Sequence, residues 1–193
     1  GRIVTTASAD VPLKGLVPLL EALAKLRTER DVHLVVVGSL RKGGATEETL
    51  DRLDLHDAVE FVSDVAEAEL VEIFGSAQVA VVPSLYEGFS LPAVELMACA
   101  TPLVATNAGA LPEVVGPDGE AVLRVEPGDP QALAVALGRL LDDDELAARI
   151  GAAGRARVIE NYTWSVVAAR TADWYRQCLA KAAERAKEEH AHR

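Results

Sequence analysis

The chain has 193 residues, half of them hydrophobic, which is enough for one domain with a well-developed core. Its formal net charge of -11 at pH 7 opposes contact with nucleic acid, because such binding draws most of its free energy from Lys and Arg releasing condensed counterions. No run approaches the roughly 20 apolar residues needed to cross a bilayer, and no basic stretch followed by an apolar signal segment opens the chain, so a soluble protein with no transmembrane segment is expected.

The first element is a strand-like run from Arg2 to Thr6, with no tail or methionine before it, which suggests a piece cut at a domain boundary with more protein ahead of Gly1. Leu16, Leu19, Leu20, Leu23 and Leu26 then form one stripe at the 3.6-residue period, with Glu21, Lys25 and Arg27 falling away from it, so an amphipathic helix comes next. Further strands are expected at His33 to Val37, Ala58 to Val62, Gln78 to Val82, Pro102 to Thr106 and Ala121 to Val125. Helices are expected at Thr46 to Leu55, Glu67 to Phe74, Leu91 to Ala100 and Pro130 to Leu141, each bounded by Gly, Pro or Asp.

That alternation predicts an α/β fold: a Rossmann-like, doubly wound parallel sheet of six strands, with the expected order 3-2-1-4-5-6. From Asp142 the sequence turns helical, Ala-rich and laced with Arg and Glu, and Lys181 to Arg193 lack the large apolar side chains that would dock them and should fray. The expected organisation is a domain over residues 1–162 and a terminal helix over 163–193.

Cys99 and Cys178 sit in Ala- and Leu-containing helical patterns, where a lone thiol behaves as a small buried hydrophobe, and this fits a cytoplasmic compartment. Trp164, Trp174 and Tyr175 recur near helical spacing and read as core or interdomain packing. The histidines (His33, His56, His190 and His192) read as structural or solvated, and none is a catalytic candidate.

In an open doubly wound sheet the ligand crevice lies outside the carboxyl ends of the strands. The loops expected there carry Lys14-Gly15, then Gly38-Ser39 with Arg41-Lys42-Gly43-Gly44, then Pro83 to Ser90, then Asn107-Ala108-Gly109-Ala110. After the fourth strand Gly88 frees the backbone, Ser90 is a good N-cap and Pro92 suits a first helical turn, so a helix starts near Leu91. Its free N–H groups and the positive end of its dipole make an anion site that needs no metal. Glu87 and Glu95 flank that start; carboxylates would repel a diphosphate and are better used on hydroxyls of a sugar ring and a ribose. A cation such as Lys14 at a helix N-terminus opposes the dipole, which invites a functional reason. Arg41 and Lys42 read either as ligand contacts or as a charged flexible hairpin.

Glu87, seven residues, then Glu95 in Glu-Gly-Phe-Ser-Leu-Pro-Ala-Val-Glu resembles the signature of family 4 retaining glycosyltransferases of the GT-B fold. Pro12-Leu13-Lys14-Gly15, Val35-Val36-Val37-Gly38, Val59 to Ser63, Asn107-Ala108-Gly109 with Pro112 to Val115, and Tyr162-Thr163-Trp164 resemble the same family in matching order. The resemblance implies that Lys14, beside Gly15, binds the diphosphate, Glu95 the ribose and Glu87 the donor sugar. Backbone N–H groups of Gly88, Phe89, Ser90 and Leu91 would hold sugar and phosphate oxygens, and residues from Ser63 to Val65 would border the base. The family usually has an arginine about six residues before the lysine, where this chain has Ser8; Arg41 or Lys42, near Gly38, could replace that charge, or the diphosphate could be held more weakly, or donor choice could differ.

The reading this gives is the donor-binding half of a metal-independent, retaining hexosyltransferase that uses a nucleotide diphosphate sugar and needs no cofactor. Its acceptor (a sugar, lipid or small molecule) would be bound by an N-terminal domain that the terminal helix reaches back to and that allows peripheral contact with a membrane. Lys14 and Glu87 are the catalytic candidates, although the domain by itself should bind more than it turns over. The alternatives are a nucleotide-sugar-binding module without transfer activity, or another GT-B enzyme such as an epimerase.

Overall fold

The structure is a computed structural model that describes the backbone of residues 1–7 and 11–191, and the side chains of those residues through 182 and at 184. Six strands, β1 (Arg2–Thr6), β2 (His33–Val37), β3 (Val59–Val62), β4 (Val79–Val82), β5 (Leu103–Thr106) and β6 (Leu123–Val125), form one sheet in the order β3-β2-β1-β4-β5-β6. Every strand pair is parallel, so the expected topology is the one observed. The central strands β4 and β5 (VAVV and LVAT) are buried at every position, which is why they read as continuous apolar runs rather than alternating ones: helices cover both faces.

The helices are α1 (Leu16–Leu26), α2 (Ala45–Leu53), α3 (Glu67–Gly75), α4 (Leu91–Ala98), α5 (Leu111–Val115), α6 (Pro130–Asp142), α7 (Asp144–Asn161) and α8 (Trp164–Ala191). Helix α1 buries the expected stripe of Leu16, Leu19, Leu20, Leu23 and Leu26, and packs against α2 on one side and α6 on the other. Each such leucine contributes about 1.5–3 kcal/mol by leaving water. Asp129 starts α6, its carboxylate accepting from Gln131 N and Ala132 N at 2.9 Å, with Pro130 in the first turn.

Several element ends differ from expectation for local reasons. Ala58, Gln78 and Pro102 precede β3, β4 and β5, yet each still makes a backbone hydrogen bond to the neighbouring strand region, so these strand starts are half-paired. Helix α2 stops at Leu53 because Asp54 turns left-handed (φ 51) and Leu55 N returns to Leu50 O; α4 stops at Ala98 because Ala100 does the same (φ 58) and Thr101 N returns to Leu96 O. The expected start of β6 at Ala121 moves to Leu123, since residues 118–122 close a tight loop in which Gly119 N donates to Val122 O and Arg124 N to Asp118 Oδ1.

The single-turn helix α5 has no counterpart among the expected helices. Arg157 serves its last carbonyls, Nε donating to Val114 O at 2.8 Å and Nη2 to Glu113 O at 2.6 Å. Helix α8 continues to Ala191, where a frayed end was expected from Lys181; the Ala, Glu and Lys content that gives little to dock is also strongly helix-forming.

The chain falls into two compact units, residues 1–157 and 158–193. In the second, Trp164 is 88 % exposed and Trp174, Tyr175 and Leu179 are also exposed, so the aromatic row is not core in this chain. Cys178 is exposed and Cys99 partly buried, which corrects the expectation of two buried thiols. His33 and His56 are exposed at the surface, next to Asp31 and Asp51.

Candidate functional site

The strand order reverses between β1 and β4, and the loops that leave those two strands are tied to each other. A short 3-10 helix, Pro12–Lys14, ends at Gly15, whose φ of 68 and close approach to the next loop both demand glycine: a Cβ there would lie 1.9 Å from Pro83 O. Leu85 N donates to Leu13 O at 2.7 Å. Lys14 is thereby held over the start of the β4–α4 loop.

The Lys14 ammonium donates to Glu87 Oε1 at 2.7 Å, and Ser84 Oγ donates to the same oxygen at 2.8 Å. Glu87 is 8 % exposed and Ser84 2 %, so the acid is a buried, paired carboxylate and not a solvated loop residue. The end of β5 and the loop after it hold this arrangement in place. Thr106 Oγ1 donates to Ser84 O, and Ala110 N donates to Glu87 O at 2.9 Å. Gly109 (φ 55) lets that loop come close, since a Cβ on it would lie 2.1 Å from Glu87 O. Neither Ser84 nor Thr106 stood out in the sequence; the one signal for Ser84 is its place three residues before the acid, at the end of a strand.

Helix α4 begins as expected at Leu91, but the freedom attributed to Gly88 is found elsewhere. Gly88 is not in the left-handed region; Ser90 is, at φ 75 and ψ 79, a conformation that costs a serine on the order of 1–3 kcal/mol. Ser90 Oγ accepts from Ala93 N at a long 3.4 Å. Pro92 has no N–H to offer, and the Leu91 N–H has no partner among the described residues, so this start leaves a backbone donor unused. Gly88 and Phe89 are exposed ahead of it, and a Cβ on Gly88 would meet nothing within 4 Å.

A cleft of about 450 Å³ opens at the carboxyl ends of β1, β2 and β3, lined by Lys14, Gly38, Ser39, Ser63, Asp64 and, from the start of α4, Pro92. Asp64 takes a positive φ of 58, and its carboxylate accepts from Ser63 Oγ at 3.2 Å. Val65 is partly buried and does not line this cleft. Glu95 lies one turn into α4, exposed, and its carboxylate has no hydrogen bond or ion pair among the described residues. Arg41 belongs to a second cleft of about 430 Å³, lined largely by apolar residues such as Pro12, Leu16 and Leu85, and Lys42 is exposed outside both. Ser8 lies outside the described residues. Among the described residues no cluster of His, Cys, Asp and Glu could hold a metal ion, and no helix is long and apolar enough to cross a membrane.

A doubly wound parallel sheet whose switch point carries a cation, a buried acid and a helix start is an arrangement suited to an anionic, hydroxyl-bearing ligand. The chain belongs to the glycosyl transferases group 1 family, which it matches over residues 1–143. It is 51 % identical over 182 residues to the MMP alpha-(1->4)-mannosyltransferase of Mycolicibacterium hassiacum, a match spanning 94 % of this chain and 44 % of that protein. It is 38 % identical to the D-inositol 3-phosphate glycosyltransferase of Streptomyces griseus, over 98 % of this chain and 40 % of that protein. The sucrose-phosphate synthase of Thermosynechococcus elongatus superposes with a TM-score of 0.79 at 34 % identity, covering 93 % of this chain and 46 % of its own. The chain thus spans less than half the length of the curated relatives it matches.

Proposed function

We propose that this chain is the donor-binding half of a retaining glycosyltransferase that moves a hexose from a nucleotide diphosphate sugar to an acceptor. The observation that carries the reading is the pairing of Lys14, which lines the cleft beside the start of α4, with the buried Glu87. Family membership and the named transferases among its relatives support the reaction class.

In this reading the diphosphate lies between Lys14 and the N-terminus of α4. Negative charge grows on it as the glycosidic bond breaks, and the Lys14 ammonium with backbone N–H groups stabilises that charge more in the transition state than in the ground state. The role asked of these groups requires no metal. Glu87 Oε2, which has no partner among the described residues, accepts from a sugar hydroxyl, and backbone N–H groups from Gly88 to Leu91 take further sugar and phosphate oxygens. Glu95 accepts from the ribose, and the base lies along Ser39 and Ser63, with Gly38 beneath it. Arg41 lines a different cleft, so Lys14 carries the diphosphate charge with the helix start. Acceptor binding is assigned to protein outside this chain, which the exposed face of α8 would meet, and the site of action to the cytoplasm or the membrane surface beside it.

A thermal-shift screen with uridine, guanosine and adenosine diphosphate sugars tests the assignment, because the right donor raises the melting temperature by mass action. A rise with one of them supports the reading. No shift at millimolar concentrations of all three refutes it.

A further inference from the structure

We propose that Ser84 is a positioning residue that keeps the Glu87 carboxylate aimed at the donor sugar once Lys14 turns to the diphosphate. The proposal rests on the donor-site reading above and extends it to a residue that touches no ligand.

Glu87 Oε1 has two donors, Lys14 Nζ at 2.7 Å and Ser84 Oγ at 2.8 Å, and the two differ in what ligand binding does to them. Lys14 ends a short surface helix and is only half-buried, so its ammonium is free to swing; a diphosphate at the start of α4 carries more than one negative charge and competes with Glu87 for it. Without a second donor, Glu87 would then lose its partner at the moment a second anion arrives. Ser84 prevents this. It is a neutral donor, so it adds no charge to the crowded site, and it is fixed: its side chain is buried at the end of β4, and its carbonyl is held by the fully buried Thr106 hydroxyl.

The geometry divides the carboxylate into two ends. Oε1 is occupied from the protein side, whereas Oε2 has no partner among the described residues, and the neighbouring Gly88 leaves open space where a side chain would otherwise stand. A hydroxyl held by Oε2 therefore meets an acid whose torsion is set from behind. Ser84 should consequently affect recognition of the sugar and leave recognition of the nucleoside diphosphate almost untouched.

The test is calorimetric titration of the 193-residue chain with UDP, GDP and ADP, each against its hexose conjugate (UDP-glucose, GDP-mannose and ADP-glucose). The readout is the ratio of the two dissociation constants for the preferred base. Ser84→Ala is expected to reduce that ratio roughly tenfold while the diphosphate alone binds within about twofold of the parent, the scale of losing one hydrogen bond to a charged group. Glu87→Gln should reduce it as well, and Ser84→Ala in the Glu87→Gln background should add little, because the serine acts through the acid. Ser84→Thr keeps the hydroxyl and should retain the ratio within about threefold.

An unchanged ratio in Ser84→Ala overturns the proposal, and so does an equal loss for diphosphate and conjugate, which is what a merely structural role would produce. Additive losses in the double variant, or a collapsed ratio in Ser84→Thr at the parental melting temperature, overturn it too. A parent chain that binds none of the six nucleotides refutes the donor-site reading itself, and is told apart from failure of the Ser84 role by that alone.

Discussion

Glu87 and Glu95 are the same residue type at the two ends of one short segment, yet the structure treats them in opposite ways. Glu87 is buried, its carboxylate bonded by Lys14 and Ser84 and its carbonyl by Ala110. Glu95 is exposed on α4, and its carboxylate has no hydrogen-bond or ion-pair partner among the described residues. The first acid is preorganised by contacts that loops from β1, β4 and β5 supply together; the second takes its position only from the helix that carries it. Damage to the surrounding fold should therefore reach Glu87 and pass Glu95 by.

The severest test of that difference is Gly109→Ala. Its φ of 55 disfavours a side chain, and the new Cβ would meet Glu87 O at 2.1 Å, so about 2–3 kcal/mol of stability should be lost, read as a lower urea midpoint at an unchanged slope. A loss under about 0.5 kcal/mol would mean that the β5–α5 loop does not brace Glu87. Lys14→Ala should come next: nucleoside diphosphate affinity falls about tenfold or more in low salt, and the deficit narrows as salt rises. A deficit independent of salt would remove Lys14 from the diphosphate. Glu95→Ala should weaken nucleotide binding by about tenfold or less, with little salt dependence and an unaltered melting temperature, as suits an exposed acid that hydrogen-bonds a hydroxyl. If it lowers the melting temperature as much as Gly109→Ala does, the contrast between the two acids is wrong.

The sheet was legible because its signals are local: β-branched runs at β1 and β2 keep their expected bounds, and the leucine stripe of α1 lands on the core. The misjudged ends of α2 and α4 depended on single residues adopting left-handed backbone, Asp54 and Ala100, which no period reveals. In the site, Lys14 and Glu87 were each visible as individual residues, but their pairing was not, since it needs 73 residues of chain to be folded first. The contacts of Ser84, Thr106 and Gly109 were hidden for the same reason, although Gly109 stood in a loop expected at the crevice. Their chemistry consists of hydrogen bonds and close approach between loops that only the strand order makes neighbours. Gly88 misled for a different reason: glycine was read as a source of backbone freedom, whereas the left-handed turn is made by Ser90 and the space beside Gly88 is open.

The smallest effect concerns Cys99, which comes just after the last turn of α4 and senses Glu95 from within the protein. Burial pushes its thiol above the ordinary value of 9.0; Arg155 pulls it down and Glu95 adds a further push upward. Only the thiolate is alkylated, so Cys99 should react with iodoacetamide well after the exposed Cys178, and its rate should keep climbing as pH is raised beyond 9.0. Glu95→Gln removes one of the two raising influences and should speed Cys99 at fixed pH by about twofold, whereas Arg155→Gln should slow it. The two rates are separable by mass spectrometry of peptides from timed quenches. A Cys99 rate that ignores both substitutions would mean that Glu95 projects no field along its own helix, and the exposed acid would then be more thoroughly screened by solvent than its position on α4 implies.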